Sequence, residues 1–311
     1  MCQCSKYKCG ATLFVRTFHT FVVIGVPATL LFKESILHHS LIDGEHVAMG
    51  VIYILMVLWS LAMYFLTCFT NPGYITVTKY NKASMLQLQT KQTVNSDDDF
   101  DINDESVEAA RNNNDDNVDD GNEEVGHMLS TECKPGMKYR VCDYCEIMQP
   151  MRTKHCEDCN KCVRKFDHHC PWLEACIGER NHRFFWLFLL STFALIASTF
   201  YITWNAFQFR MSWSDWLETN AILFIDVVIL FIGGMVVLGL LGFHSYLMFK
   251  GLTTWEAASR ERITYLKYLD EDYNPFNEGL CRNLYQFLFA CHLRKWEKVY
   301  ARKAKGANGI V

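Results

Sequence analysis

Long apolar runs alternate with polar stretches along the chain, on a scale far longer than the repeat of one amphipathic helix. Crossing a bilayer as a helix takes about 20 apolar residues. Four runs meet that length: residues 13–32, 47–69, 184–209 and 221–249. Short loops join the first to the second and the third to the fourth, and a long polar segment, 70–183, joins the two pairs. The pattern predicts an all-α polytopic membrane protein with four transmembrane helices. The first ten residues are polar and rich in Cys and Lys, and no small-residue cleavage site follows the first run, so no cleavable leader is expected.

Composition sharpens this picture because it is uneven. Half of the 311 residues are hydrophobic and 21% are charged, and the charges are gathered into blocks. That excludes both a uniform soluble globule and a wholly disordered chain. The net charge of −4 hides an acidic block and a basic one that cancel. Residues 95–124 are mostly Asp, Glu and Asn, with Arg111 the only base, and are expected to be a disordered insert. Lys and Arg concentrate in 138–183 and 250–305, whereas the loop after the first run has Lys33 alone. By the positive-inside rule, both termini and the long loop face the cytosol. The expected division is a cytosolic N-terminus (1–12), helices one and two (13–69), a linker holding the insert (70–138), a cysteine-rich domain (139–183), helices three and four (184–249) and a cytosolic C-terminal region (250–311).

Seven of the 14 cysteines fall between Cys142 and Cys176. Thiols in the cytosol stay reduced, which points to metal rather than disulfides. The spacing C-x2-C-x9-H-x6-C occurs twice, offset by fourteen residues. One copy is Cys142, Cys145, His155 and Cys162; the other is Cys156, Cys159, His169 and Cys176. Each copy supplies the four soft or borderline donors of a closed structural zinc site. Two zinc ions in interleaved sites would fix the shape of a domain with little apolar core. The spacing is not that of a nucleic-acid finger, and the domain is tied between membrane spans, so no nucleic-acid partner is expected.

Cys170 and His168 are left without a metal, and Asp167 stands beside them. These are the residue types of a nucleophile, a base and an orienting acid. In extended chain His168 and Cys170 share a face and His169 faces the other way. Asp167 would point away from them unless a local turn brings it back. A thiol so close to the third span suits a substrate that is part lipid and part polar, such as a fatty acyl-CoA. Its phosphates need cations, and Arg152, Lys154, Lys161, Arg164, Lys165, Arg180 and Arg183 are candidates, with Trp172 next to the thiol. Phe184, Phe185, Trp186, Phe188 and Phe193, with small Ser191, Ala194 and Ser198, are expected to line an acyl cavity. Arg16 and His19 are expected to snorkel to the headgroups, and Asp226 to snorkel or to hydrogen-bond a neighbouring helix. Cys2, Cys4, Cys9, Cys281 and Cys291 are expected on the cytosolic side, as free thiols or acylated ones. From 280 to 300 an amphipathic helical pattern suits a membrane surface, with packing against the cysteine-rich domain as the competing reading.

At Asp167-His168-His169-Cys170 the chain resembles the DHHC family of protein S-acyltransferases. The likeness extends over the whole of 142–176, to Asn181 and Phe185, to Thr253-Thr254-Trp255-Glu256 after span four (the family's TTxE), and to 277–283. Asn71-Pro72-Gly73 is similar to the family's DPG, with Asn in place of Asp. Within the family the chain is most similar to an animal subgroup numbered twelve, through Val15-Arg16-Thr17, 178–182 and Asn274-Pro275-Phe276. The resemblance implies a ping-pong palmitoyltransferase. Cys170 takes the acyl group from palmitoyl-CoA with His168 as base and Asp167 as its support. Cytosolic cysteines of membrane-associated proteins then receive it. It also implies structural zinc, a hydrogen bond from Thr254 to Asp167, Asn283 holding the C-terminal segment, and a place in the Golgi or endoplasmic reticulum. The other readings are a catalytically silent zinc-finger adaptor and, with no facing acidic or His ligands in the spans, a metal transporter.

Overall fold

The computed structural model describes residues 6–75, 140–290 and 293–307. The acidic insert, Cys2, Cys4 and Cys291 lie outside the described residues, as does the side chain of Cys9. The chain divides into two compact units, one made of 1–75 with 149–311 and the other of 76–148. In the smaller unit, β1 (Arg140–Cys142) pairs with β2 (Ile147–Gln149) in a two-stranded hairpin.

The larger unit holds the four helices that are long and apolar enough to span a membrane. They are α1 (Lys6–Leu30), α3 (Val47–Phe69), α4 (His182–Asn205) and α5 (Trp213–Lys250). The short α2 (Ile36–Leu41) links the first two, with Ser35 capping its first turn. α3 coincides with its apolar run, α1 and α4 begin before theirs and end short of them, and α5 begins eight residues before the run at 221, because the mixed polar and aromatic residues at 213–220 continue the same helix. α4 packs against both α3 and α5. With no hydrophobic drive between helices in lipid, small residues and hydroxyl pairs hold such contacts. Tyr53 bonds Thr199 at 2.7 Å, Ser60 bonds Thr192 at 3.0 Å, and Thr29 donates to Asp226 at 2.6 Å. Asp226 is thus held by a neighbouring helix. Among the glycines of the fourth span, Gly234 meets a neighbour, 3.2 Å from Ile196.

Between α3 and α4 the larger unit carries two further antiparallel hairpins. One joins β3 (Lys154–Cys156) to β4 (Lys161–Val163), with His155 opposite Cys162. The other joins β5 (His168–Cys170) to β6 (Ala175–Ile177), with His169 opposite Cys176. All three hairpins close through a four-residue turn whose last residue is left-handed: Glu146 (φ 51°), Asn160 (φ 49°) and Glu174 (φ 48°). Strands and turns therefore recur every fourteen residues, the same offset as the repeated Cys/His spacing. Strands of three residues are too short to show alternation, so their β-character is invisible in the hydropathy pattern.

The hairpins are tied to the helices at two places. Asn71 accepts from the backbone of Gly73 and Tyr74, both at 2.9 Å, which keeps the turn after α3 without the acidic charge. Gly178 passes so close that an added Cβ would lie 2.6 Å from the Pro72 carbonyl. Buried Asn181 accepts from Gly178 N–H and donates to the carbonyls of Cys176 and Thr67. Beyond α5 come α6 (Thr254–Ala258), α7 (Leu280–Phe289) and α8 (Trp296–Ala307). The helical pattern at 280–300 is thus two helices, and Trp296 and Val299 are buried with Phe276, Ile263 and Leu266. α8 packs its apolar face into protein, with Met151 of the cysteine-rich domain against the same cluster, which favours the packing reading over the membrane surface.

Candidate active site

The turn that the Asp167 reading required is present. Lys165 is left-handed (φ 43°), and the Asp167 N–H donates to the Ile177 carbonyl at 2.9 Å. Asp167 thereby stands just ahead of β5, and its Oδ2 is 2.6 Å from His168 Nδ1. From across the site Thr254 donates twice, through its N–H to Oδ1 and its hydroxyl to Oδ2, both at 2.8 Å. Cys170, two residues on in β5, lies close enough to His168 to favour its protonated form. The chain order Asp167, His168, Cys170 is therefore an acid, an imidazole and a thiol close together.

Burial opposes charge on Asp167, but the imidazoles of His182 and His168 and the short bond to His168 outweigh it. Its carboxyl is held well below the usual carboxylate range. Burial also opposes charge on His168. The bond to Asp167 and the nearby Cys170 outweigh it and lift the imidazole to about 9. The site thus favours an ionised carboxylate beside an imidazole that holds a proton well. On its other side Cys170 packs against an apolar cluster of Tyr64, Leu173, Ile177, Phe185 and Phe188.

Thr254 is delivered by a capping box at the start of α6. Thr253 Oγ1 accepts from Glu256 N–H at 3.2 Å, and Glu256 accepts from Thr253 N–H at 3.0 Å. Glu256 in turn takes two bonds from Arg152, at 2.7 and 2.5 Å, and one from Tyr265. Asn283 sits at the start of α7. It donates to the Phe249 carbonyl at 2.7 Å and accepts from Glu278 N–H at 3.1 Å, which fastens the C-terminal segment to the end of α5.

Cys156, Cys159, His169 and Cys176 converge on one point. The sulfurs of Cys159 and Cys176 are 3.3 Å apart, and His169 Nδ1 is 3.4, 3.7 and 3.8 Å from Cys159, Cys176 and Cys156. With Zn–S near 2.3 Å and Zn–N near 2.0–2.1 Å, tetrahedral edges are about 3.6–3.8 Å. The donor set fits zinc in kind and in spacing. Of the other set, His155 and Cys162 meet across the β3–β4 hairpin, 3.9 Å apart, and Gln149 donates to the Cys162 sulfur at 3.3 Å. Cys142 and Cys145 belong to the hairpin of the smaller unit.

The expected phosphate contacts divide. Arg152 is 3% exposed, paired with Glu256, and held between the rings of Phe276 and Trp296 at 4.1 and 4.4 Å. It is a structural pillar rather than a phosphate ligand. Arg164 is engaged by Glu179 at 2.9 Å and by the Arg294 carbonyl at 2.8 Å. Lys154 lies over Trp255, 3.4 Å from the ring centre. Lys165, with Arg180 and Arg183, lines a cleft of about 220 Å³. Burial, reinforced by Arg152, pulls its ammonium down to about 8.

Trp172 donates to His19 at 3.2 Å, and His19 is buried and stacked on Tyr64 at 3.9 Å. Arg16 reaches the Leu173 carbonyl at 3.5 Å and lies over Phe69. Both residues turn inward to the hairpin and do not snorkel, because the β5–β6 turn offers them polar partners. An apolar cleft of about 780 Å³ is lined by α1 and α3, including Phe21, Ile24, Phe65 and Phe69. The aromatic residues of α4 line no part of it, though Phe185 and Phe188 are buried at the thiol. Cys281 is exposed.

Two residues of this site were not anticipated from the sequence. His182, the first residue of α4, and His244, near the end of α5, approach Asp167 from the side away from Thr254. Each is a single histidine at the edge of an apolar run, a setting that signals nothing by itself.

Comparison with known proteins places the chain. Residues 136–261 match the profile of the DHHC palmitoyltransferase domain. Palmitoyltransferase ZDHHC12 of Homo sapiens is 30% identical over 291 residues, covering 94% of this chain and 93% of that protein. Palmitoyltransferase ZDHHC12-A of Danio rerio is 32% identical, covering 96% and 97%. Protein S-acyltransferase 10 of Arabidopsis thaliana is 33% identical, covering 75% and 68%.

Proposed function

Because the chain belongs to the DHHC palmitoyltransferase family, a family of acyltransferases, we propose that it moves a palmitoyl group from palmitoyl-CoA to cysteine thiols of membrane-associated proteins through an acyl-Cys170 intermediate. The observation that carries this reading is the close succession of Asp167, His168 and Cys170, set against an apolar cluster.

His168 takes the thiol proton, and the Cys170 sulfur attacks the thioester carbonyl of palmitoyl-CoA. The CoA sulfur leaves and receives the proton from His168. In the second half a substrate cysteine loses its proton to His168, attacks the acyl-Cys170 carbonyl, and Cys170 is released as the thiol. Asp167 stabilises each imidazolium, and Thr254 fixes the carboxylate through two hydrogen bonds. The apolar cluster at Cys170 receives the first carbons of the acyl chain, and Lys165, Arg180 and Arg183 face the CoA phosphates. Zinc at Cys156, Cys159, His169 and Cys176, and at Cys142, Cys145, His155 and Cys162, supplies cross-linking and no reaction step. The bias of Lys and Arg supports a cytosolic site with both termini on the same side, and the family resemblance supports a Golgi or endoplasmic reticulum membrane.

The test is autoacylation of the purified protein by alkyne-palmitoyl-CoA. Hydroxylamine-sensitive label on wild type and none on Cys170→Ser, at equal zinc content, is the expected result. Label that persists in Cys170→Ser assigns the nucleophile to another cysteine and defeats the reading.

A further inference from the structure

Asp167 is buried and held by three hydrogen bonds. Three of the roughly four lone-pair positions of a carboxylate are used: one on Oδ1 by Thr254 N–H, and two on Oδ2 by the Thr254 hydroxyl and His168. The fourth, on Oδ1, faces His182 Nε2 at 3.7 Å, outside hydrogen-bond range. His244 Nδ1 stands 4.0 Å from Oδ2, equally out of range, and 3.4 Å from His182 Nε2. Both histidines are 3% exposed. The two imidazoles hydrogen-bond each other, neither bonds the carboxylate, and His182 Nδ1 is buried with no partner among the described residues.

The geometry supplies the missing partner. Imidazole nitrogen and carboxylate oxygen bind zinc at about 2.0–2.1 Å, so tetrahedral edges between them are about 3.3–3.4 Å. The 3.4 Å between the imidazoles already meets those edges, and the 3.7 Å from His182 to Oδ1 needs to close by roughly 0.4 Å, while His244, 4.0 Å from Oδ2, has to turn toward Oδ1. The three donors lie within 4.8 Å of one another. Two histidines and one carboxylate suit zinc and similar divalent transition cations and leave a position for water. The cleft lined by Lys165, Arg180 and Arg183 also touches His182.

We propose that Asp167, His182 and His244 form a third metal site, for zinc or a like divalent cation, whose occupancy shuts the acyl-transfer centre. The cation binds at the free lone pair of Oδ1. It draws the carboxylate toward the two helix histidines and away from the 2.6 Å bond that holds His168 in place. Inhibition by this route rests on the acyl-Cys170 reading; the binding of metal does not.

The experiment uses the full-length protein in detergent, carrying its two cysteine-bound zincs. It is exposed to excess zinc, passed through a desalting column and analysed for metal, alongside His182→Asn and His244→Gln. Wild type should keep three zincs per chain and each variant two. In parallel, cobalt added to wild type should give a weak visible ligand-field band without the intense near-ultraviolet thiolate band. Micromolar zinc should slow wild-type autoacylation at least tenfold and leave the variants within about twofold of their own zinc-free rates. Two zincs in wild type, or a thiolate band from the added cobalt, overturns the site. A third zinc with undiminished autoacylation overturns the regulation. A third zinc in a protein that never acylates keeps the site and removes the acyl-enzyme reading instead.

Discussion

Glu256 is 2% exposed and 87 residues or more from every hairpin residue it helps to position, yet it is the joint between the hairpins and the C-terminal region. It accepts two bonds from Arg152, one from Thr253 N–H and one from Tyr265. Arg152 cannot escape to water, since it lies between Phe276 and Trp296, and its Nη1 already lacks a partner. Removing one member of a buried ion pair costs about 3–5 kcal/mol, because a charge is left without compensation. The Glu256 half of the capping box on Thr253 N–H is lost as well, while Thr253 still caps α6. Glu256→Ala should therefore lower stability by about 3 kcal/mol or more, read by denaturant unfolding in detergent. It should also slow acyl-enzyme formation, because Thr254 is no longer held on Asp167. Arg152→Met with Glu256→Ala removes both charges and should recover at least about 2 kcal/mol relative to the sum of the single variants. A loss under about 1 kcal/mol in Glu256→Ala, or strict additivity in the double variant, refutes the reasoning.

Three further outcomes follow from contacts already described. Thr254→Val removes the hydroxyl bond to Asp167 and keeps the N–H; a bond to a charged group is worth about 1.5–3 kcal/mol, so single-turnover acylation should fall roughly tenfold to hundredfold, and an unchanged rate would dismiss Thr254 as a support. Gly178→Ala places a Cβ 2.6 Å from the Pro72 carbonyl and 2.7 Å from Val163, so unfolding should cost about 1–3 kcal/mol less than in wild type; full stability would show that the turn after α3 yields. Stripping metal with a chelator should expose 154–177 to protease and abolish autoacylation until zinc is restored, whereas protease resistance in metal-free protein would deny zinc its cross-linking role.

The sequence makes the membrane helices legible because each apolar run is long, and in lipid an apolar run has few other fates. It misplaces their ends because the apolar run marks the bilayer, while the helix continues as long as its backbone bonds do. Residues 213–220 show this, being partly polar and helical at once. The clustered donors are legible for a different reason: Cys and His at a repeated spacing have few alternative uses in reduced surroundings. Arg152 is misread because its partner lies 104 residues away, and a lone arginine among other bases looks like one more phosphate contact. Asp167 needed a turn that only the left-handed backbone of Lys165 reveals, at a residue type with no preference for it. His182 and His244 belong to different helices, and only the packing of α4 on α5 brings them together.

The fourteen-residue recurrence of the hairpins gives Cys170 an ancestry within its own chain. In register it occupies the place held by Cys142 in the first hairpin and by Cys156 in the second. The companion place, three residues on, is Cys145 in the first and Cys159 in the second, but Leu173 in the third. Leu173 is fully buried, packed with Tyr64, Phe185 and Phe188. The third hairpin thus keeps the shape of a metal knuckle without its donor set: Leu173 stands at the second thiol place, and Arg183 and Leu190 stand where the repeat would put the His and the last Cys. The residue that leaves Cys170 without a neighbouring thiol also supplies part of the apolar surface beside it.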